Sequence, residues 1–296
     1  MLKLSIFLVA ATVATVACGG EQPPSSGLLI SSELTGNWEI FLLDPESQIL
    51  HQVTDEGPYA LTPASFVEGL DVDATWSPEN DRIALSSDRR NGFQLYVVDA
   101  DGIEQIQLTS EFNNGEPAWS PDGSHIAFRS DRTGDVELFI MDSDGTNARQ
   151  LTNSPGEDWT PTWSPDGTRI AFASRRFNGS WDIFSILPDG TGINQLTGDE
   201  WDNWLPDWSP DGSQIAYASN REGNWDIFTI DPTGDLILQI TDDVAGDTEP
   251  VWSPDGTRLA FASARGNPRG LKVFFADLES GEETDTGQTG FPTAWR

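Results

Sequence analysis

The sequence predicts an all-β fold, a six-bladed β-propeller with four antiparallel strands in each blade. Three observations lead there. The pentapeptide Trp-Ser-Pro-Asp-Gly begins at Trp119, Trp163, Trp208 and Trp252, with a looser copy at Trp76-Ser77-Pro78-Glu79-Asn80. Successive tryptophans lie 43, 44, 45 and 44 residues apart, a period in the forties that marks propeller blades. Finally, Pro292-Thr293-Ala294-Trp295 repeats the opening strand of a copy 43 residues after Trp252. The missing remainder of that copy stands at the other end of the chain.

Residues 1–17 read as a secretory signal, with Lys3 at the charged end, an apolar run from Leu4 to Val16 and small Ala17 at the cut. The run is too short for a permanent membrane span. Thr15-Val16-Ala17-Cys18 resembles a bacterial lipoprotein signal, although that family usually carries Leu at the Thr15 position. The resemblance implies that Cys18 is lipidated and becomes the new N-terminus. Cys18 is the single cysteine, so no intramolecular disulfide is expected. Residues 18–27 have the Gly, Pro and Ser content of a flexible tether, and residues 28–296 are assigned to the propeller.

One blade is legible from Thr160 to Thr197. Pro161-Thr162-Trp163 forms the inner strand, and Ser164-Pro165-Asp166-Gly167 is a tight turn in which Pro presets φ and Gly takes the left-handed conformation. In the first copy Asn80 replaces that Gly, and Asn tolerates positive φ. Arg169 to Ser174 alternates with period two, Trp181 to Ile186 is a β-rich third strand, and Asn194 to Thr197 is a short edge strand. At the N-terminus, Gly27 to Ser32, Asn37 to Phe41 and Gln52 to Thr54 match the second, third and fourth strands. The last blade is therefore expected to be built from both ends of the chain, which hides the sheet edges.

The tryptophans at 76, 119, 163, 208, 252 and 295 read as packing between blades, each burying ~150–250 Å². Trp38, Trp181 and Trp225 open third strands. Arg89, Arg132, Arg176, Arg221 and Arg265 recur after the second strand. Opposite-charge pairs across the hairpin are expected for Arg132–Glu137, Arg176–Asp182 and Arg221–Asp226.

The repeat P-x-W-S-P-D-G-x-x-I-A-F, followed by D-I-F and Q-L-T, resembles the repeats of the TolB-like propeller family. Blades of this type also occur in the propeller domains of prolyl-oligopeptidase-like peptidases. The resemblance covers residues 28–296 and implies a propeller outside the cytoplasm, in the periplasm or on the outer surface, that binds another macromolecule. The family's namesake carries an α/β domain ahead of its propeller, and here only a tether is expected. The peptidases add a hydrolase domain with a G-x-S-x-G elbow, and none occurs in this chain.

A formal net charge of −32 argues against nucleic acid and anionic membrane as partners, because both require basic patches. Membrane contact is expected only through the N-terminal lipid. Loops between blades share a face with those joining second and third strands. They vary from copy to copy, and a unique site needs variation. On that face Asp71, Asp73, Glu116, Asp158, Asp202, Asp247 and Glu249 are expected around the mouth of a central channel. There they either form a hydrated rim or attract a divalent cation, a basic peptide or an amine. Trp159, Trp201 and Trp204, expected in inter-blade loops beside Asp158, Glu200 and Asp202, join the candidate surface, since aromatic rings among carboxylates bind cations and sugars. The loop 55–73, with Tyr59 and Phe66, is expected to cover part of the mouth.

His51 and His125 are the only histidines and neither suggests a catalytic cluster. The expected function is a non-enzymatic, monomeric, envelope-tethered scaffold that docks a protein or envelope component. Carbohydrate binding or processing at the same mouth is the alternative, and no cofactor is expected.

Overall fold

A computed structural model of the chain describes residues 27–34, 37–54, 70–89, 92–100, 104–177, 179–266 and 270–296. The signal, Cys18, most of the tether, and Tyr59 and Phe66 lie outside these residues. Six four-stranded antiparallel sheets surround one axis. Their inner strands are β4 (Asp71–Trp76), β8 (Asn114–Trp119), β12 (Asp158–Trp163), β16 (Asn203–Trp208), β20 (Asp247–Trp252) and β24 (Phe291–Trp295). The second strands are β1 (Leu28–Ser32), β5 (Arg82–Ser87), β9 (His125–Ser130), β13 (Ile170–Ser174), β17 (Ile215–Ser219) and β21 (Arg258–Ser263). The third are β2 (Glu39–Leu43), β6 (Gln94–Asp99), β10 (Glu137–Asp142), β14 (Asp182–Ile186), β18 (Asp226–Ile230) and β22 (Lys272–Asp277). The outer edge is formed by β3 (Leu50–Gln52), β7 (Gln105–Gln107), β11 (Arg149–Gln150), β15 (Asn194–Gln195), β19 (Ile237–Gln239) and β23 (Glu283–Thr289).

The split blade closes as the repeat requires, in the order β24-β1-β2-β3. Gly27 and Arg296 exchange two backbone hydrogen bonds of 3.1 Å at its end. Each Trp-Ser-Pro-Asp-Gly turn is held inside itself: Ser164 Oγ donates to Asp166 and accepts the Arg169 N–H, and Gly167 lies at φ 70°. Asn80 adopts φ 57° in the looser copy.

Each of the six junctions between blades holds its own buried apolar cluster. Trp119, from one blade, packs with Ala84, Leu95 and Val97 of the preceding one and with Ile126 and Phe128 of its own. The indole N–H groups of Trp163 and Trp252 donate to the carbonyls of Ala118 and Asp207 in the preceding blades. The residue before each third strand accepts a backbone bond from the next inner strand, as Trp181 does from Asn203 and Trp225 from Asp247.

The recurrent arginines do not pair across the hairpin as expected. Each reaches inward to the first residue of its own inner strand: Arg89 to Asp71, Arg132 to Asn114, Arg176 to Asp158, Arg221 to Asn203 and Arg265 to Asp247. Glu137 and Asp182 instead accept hydrogen bonds from Thr152 and Thr197 of the Q-L-T segments. Three of these partners, Asp71, Asp158 and Asp247, are carboxylates sealed from water, where an ion pair is least screened, and Asn114 and Asn203 accept through their amide oxygens.

The chain enters the closing strand at Gly290, with φ 124°, and a Cβ there would stand 2.1 Å from the Ser31 carbonyl oxygen. Gly290→Ala is expected to destabilise the fold by about 2–4 kcal/mol, through strain and loosening of the closure. Thermal unfolding of the variant against the parent measures it; an unchanged Tm contradicts this account of the closure.

Candidate functional site

All six inner strands line a central channel with a cavity of about 360 Å³. Five of them carry the same irregularity three residues before the tryptophan. Asp73, Glu116, Thr160, Leu205 and Glu249 adopt φ between 50° and 57°, and the register with the second strand slips at each. These are bulges, and a bulge re-aims a side chain. In β24 the position is Pro292, whose ring forbids positive φ. Apart from Asp73, whose residue type tolerates positive φ, the left-handed conformation costs each about 1–2 kcal/mol, and no residue type announces it at Glu116, Thr160, Leu205 or Glu249.

The bulge acids link neighbouring blades. Asp73 lies beside the Ser86 hydroxyl, whose oxygen accepts the Glu116 N–H of the next blade at 2.9 Å, and Glu116 Oε2 accepts the Thr160 N–H at 2.5 Å. Glu249 faces a different neighbour, because Pro292 has no N–H to offer. Its carboxylate takes a hydrogen bond from the Thr248 hydroxyl instead. Burial pushes Glu249 up to about 7, with Asp73 adding repulsion. Glu116 is likewise pushed up to about 7 by burial, against the pull of Arg129, and burial raises Asp73.

Arg129 belongs to this group, and the sequence reading missed it. Its Nε lies 3.1 Å from Glu116 Oε1, and its guanidinium lies 4.2 Å from the centre of the Trp159 ring. In the equivalent second-strand position other blades carry Ser86, Ala173, Ala218 and Ala262. Opposite those small residues stand Val72, Trp159, Trp204 and Thr248, whereas Arg129 faces Gly115. A Cβ on Gly115 would stand 2.9 Å from the guanidinium. The exchange of sizes across one strand pair is readable by aligning the copies. Asp207 was missed too: its Oδ2 accepts the Trp252 N–H at 2.9 Å, and burial pushes it up to about 7.

The remaining expected residues divide. Asp71, Asp158 and Asp247 are fully buried in their arginine pairs and do not surround the mouth. Trp159 and Trp204 are second residues of β12 and β16, not loop residues. Their rings lie 6.0 Å apart, and both meet Trp181, at 6.4 Å and 3.9 Å. Asp202 accepts the Trp181 N–H at 3.0 Å. Glu200 and Trp201 stay exposed, and with Ser180, Gly198 and Asp199 they line a surface cleft of about 450 Å³.

Residues 105–204 and 200–290 match the TolB beta propeller domain family. The chain belongs to this family. Among solved structures it is similar to TolB from Acinetobacter baumannii, with TM-score 0.76 and 21% identity, covering 91% of this chain and 66% of that one. It therefore spans just under two thirds of that protein. A TolB-designated protein from Agrobacterium tumefaciens gives 0.73 and 23%, covering 92% and 94%. An oligogalacturonate lyase in complex with manganese gives 0.60 and 18%, covering 88% and 73%. No curated protein matches the chain in sequence. At such identities the structural likeness establishes the fold alone.

Within this propeller, no three His, Cys, Asp or Glu side chains among the described residues come together so as to hold a metal ion. Ser124, His125 and Asp142 stand in line, at 2.6 Å and 3.7 Å. They lie on the exposed turn face, and Ser124 Oγ also hydrogen-bonds to Asp122 at 2.7 Å, which ties the hydroxyl into the turn.

Asp158→Ala, which strands Arg176, is expected to cost about 3–5 kcal/mol, while Trp201→Ala should change stability by less than about 0.5 kcal/mol. Denaturant unfolding of both variants checks the division between structural and exposed residues. For Glu249, whose folded pKa lies above its ordinary value of 4.5, the stability tied to the protonated carboxyl is complete below that value and lost as pH climbs through 7. Glu249→Gln should therefore be near neutral at pH ~4 and stabilising by about 1–2 kcal/mol at pH ~8. Parallel melts at the two pH values test the sign.

Proposed function

We propose that this propeller is a non-catalytic binding scaffold outside the cytoplasm, tethered at a lipidated Cys18, that docks a protein or envelope component on its channel-mouth face. One observation supports this reading above the others. The turn face repeats from blade to blade, whereas the mouth face carries features present once: the Gly115–Arg129 exchange, the Trp159–Trp181–Trp204 cluster and the exposed Glu200–Trp201 loop. Acidic groups at the mouth, with Glu249 set into the channel, favour a partner with a basic contact surface. A divalent cation bridging mouth carboxylates to such a partner is compatible with the same charge. The TolB-family fold supports an extracytoplasmic place but does not name the partner.

Affinity capture from envelope extracts with the full chain tests the reading. The double variant Glu200→Ala/Trp201→Ala should lose at least about tenfold of the captured partner, as expected for an exposed aromatic anchor. Glu79→Gln, on the turn face, should lose none. Equal capture by all three proteins rejects the mouth face. Cys18→Ser should release the protein from the membrane fraction.

The exposed Trp201 ring beside Asp199, Glu200 and Ser180 favours a second reading, recognition of an envelope glycan. Binding on a glycan array that depends on Trp201 supports it, and silence there removes it.

A further inference from the structure

A second cleft on the mouth face, of about 320 Å³, lies over the junction of three blades and is separate from the Trp201 loop. It is lined by Trp181, Trp204 and Trp225 together with Leu205, Ala218, Asp202 and Thr248. Trp181 and Trp204 meet at 75° with ring centres 3.9 Å apart, so two aromatic walls stand nearly perpendicular. Trp225 precedes β18 in the same blade as Trp204 and supplies the third, while Trp181 belongs to the preceding blade and Thr248 to the following one. All three indoles are half-buried, and the volume is at the lower end of small-molecule sites, ~300–1,000 Å³.

We propose that this cleft binds a quaternary ammonium cation. Aromatic faces attract cations through the ring quadrupole, and a carboxylate nearby strengthens the attraction. This chain already uses a neighbouring ring, Trp159, and one wall of the cleft, Trp181, in that way. Arg129 lies over Trp159 at 4.2 Å, and Arg175 lies over Trp181 at 4.8 Å. Among the described residues no Arg or Lys covers Trp204 or Trp225, and none forms an ion pair with Asp202. A chain of net charge −32 further raises the local concentration of small cations.

The polar inventory separates this ligand from its competitors. Asp202 and Thr248 are the only polar side chains of the lining apart from the indole N–H groups. The Thr248 hydroxyl is committed to Glu249, and one Asp202 oxygen to the Trp181 N–H. A sugar ring or a guanidinium would leave several donors unmatched in such a cleft, and each unmatched buried donor is costly. A fully alkylated ammonium has no donor to satisfy. Its methyl groups pack on the indoles while its charge faces Asp202.

Calorimetric titration of the full chain with choline, and with its carbon isostere in which a tert-butyl group replaces the trimethylammonium head, tests the proposal. Saturable choline binding is expected, with the isostere at least about tenfold weaker. Asp202→Asn keeps the acceptor for the Trp181 N–H and should weaken choline about tenfold at unchanged Tm. Trp225→Leu should weaken choline by a similar factor while leaving partner capture through Trp201 intact. Equal binding of both ligands, absence of saturable binding, or choline affinity untouched by Asp202→Asn overturns it. Phosphatidylcholine vesicles form a separate arm: adsorption to vesicles without binding of free choline also overturns the small-cation site.

Discussion

The pairing of the last strand with the first governs everything else in this molecule. Each inner strand is wedged between two neighbours, and its tryptophan packs into the preceding blade. A ring with one open junction would expose two such surfaces at once. The closure is therefore worth more than the few hydrogen bonds between β24 and β1. Trp295, stacked on Phe275 at 4.9 Å, and Arg296, over Trp76 at 3.7 Å, show the final residues gripping both adjacent blades. Chain ends that are usually expendable are here the junction itself.

Closure also sets the character of the channel. Six strands brought to one axis leave little room, and a left-handed bulge residue in five of them turns a side chain toward the centre. Glu116 uses that geometry to reach the backbone of the next blade, and Asp73 stands beside the Ser86 hydroxyl that does the same, so these channel acids act partly as fasteners. The series breaks at Pro292, where no N–H exists to receive Glu249. A carboxyl left without its fastening role, held in a confined space beside Asp73, is raised toward neutrality by burial and repulsion. The irregularity in the ring thus arises from one proline at the closing strand.

The two faces of the propeller illustrate a division of labour common to repeat folds. Turns made of Ser, Pro, Asp and Gly satisfy their own hydrogen bonds and must recur for the blades to be equivalent. Positions that depart from the average, such as Arg129, Gly115 and the tryptophans at the second position of two inner strands, concentrate on the opposite face. Each departure is accommodated locally: a large side chain faces a small one across the same strand pair. Uniqueness of this kind places chemistry without disturbing the ring, and it bears the acidic charge that turns a partner search toward cations.

Blade number, strand order and the shared final blade were determined by the sequence alone, because a repeat of fixed period and turn residues with special φ preferences are local signals. The position of the mouth face was legible for the same reason. Which acids reach it was not. Asp71, Asp158 and Asp247 read like Asp73 and Glu249, yet the first three are sealed against arginines because side chains alternate along a strand and the bulge reverses that alternation for the others. Nothing in Thr160 or Leu205 signals a left-handed residue, and the rule for residues preceding proline argues for extended backbone there. The aromatic cleft likewise exists only in three dimensions, since Trp181 comes from one blade, Trp204 and Trp225 from separate strands of the next, and Thr248 from a third. Local chemistry wrote the ring; only the packing of one blade against the next decided which side chains its centre and rim present.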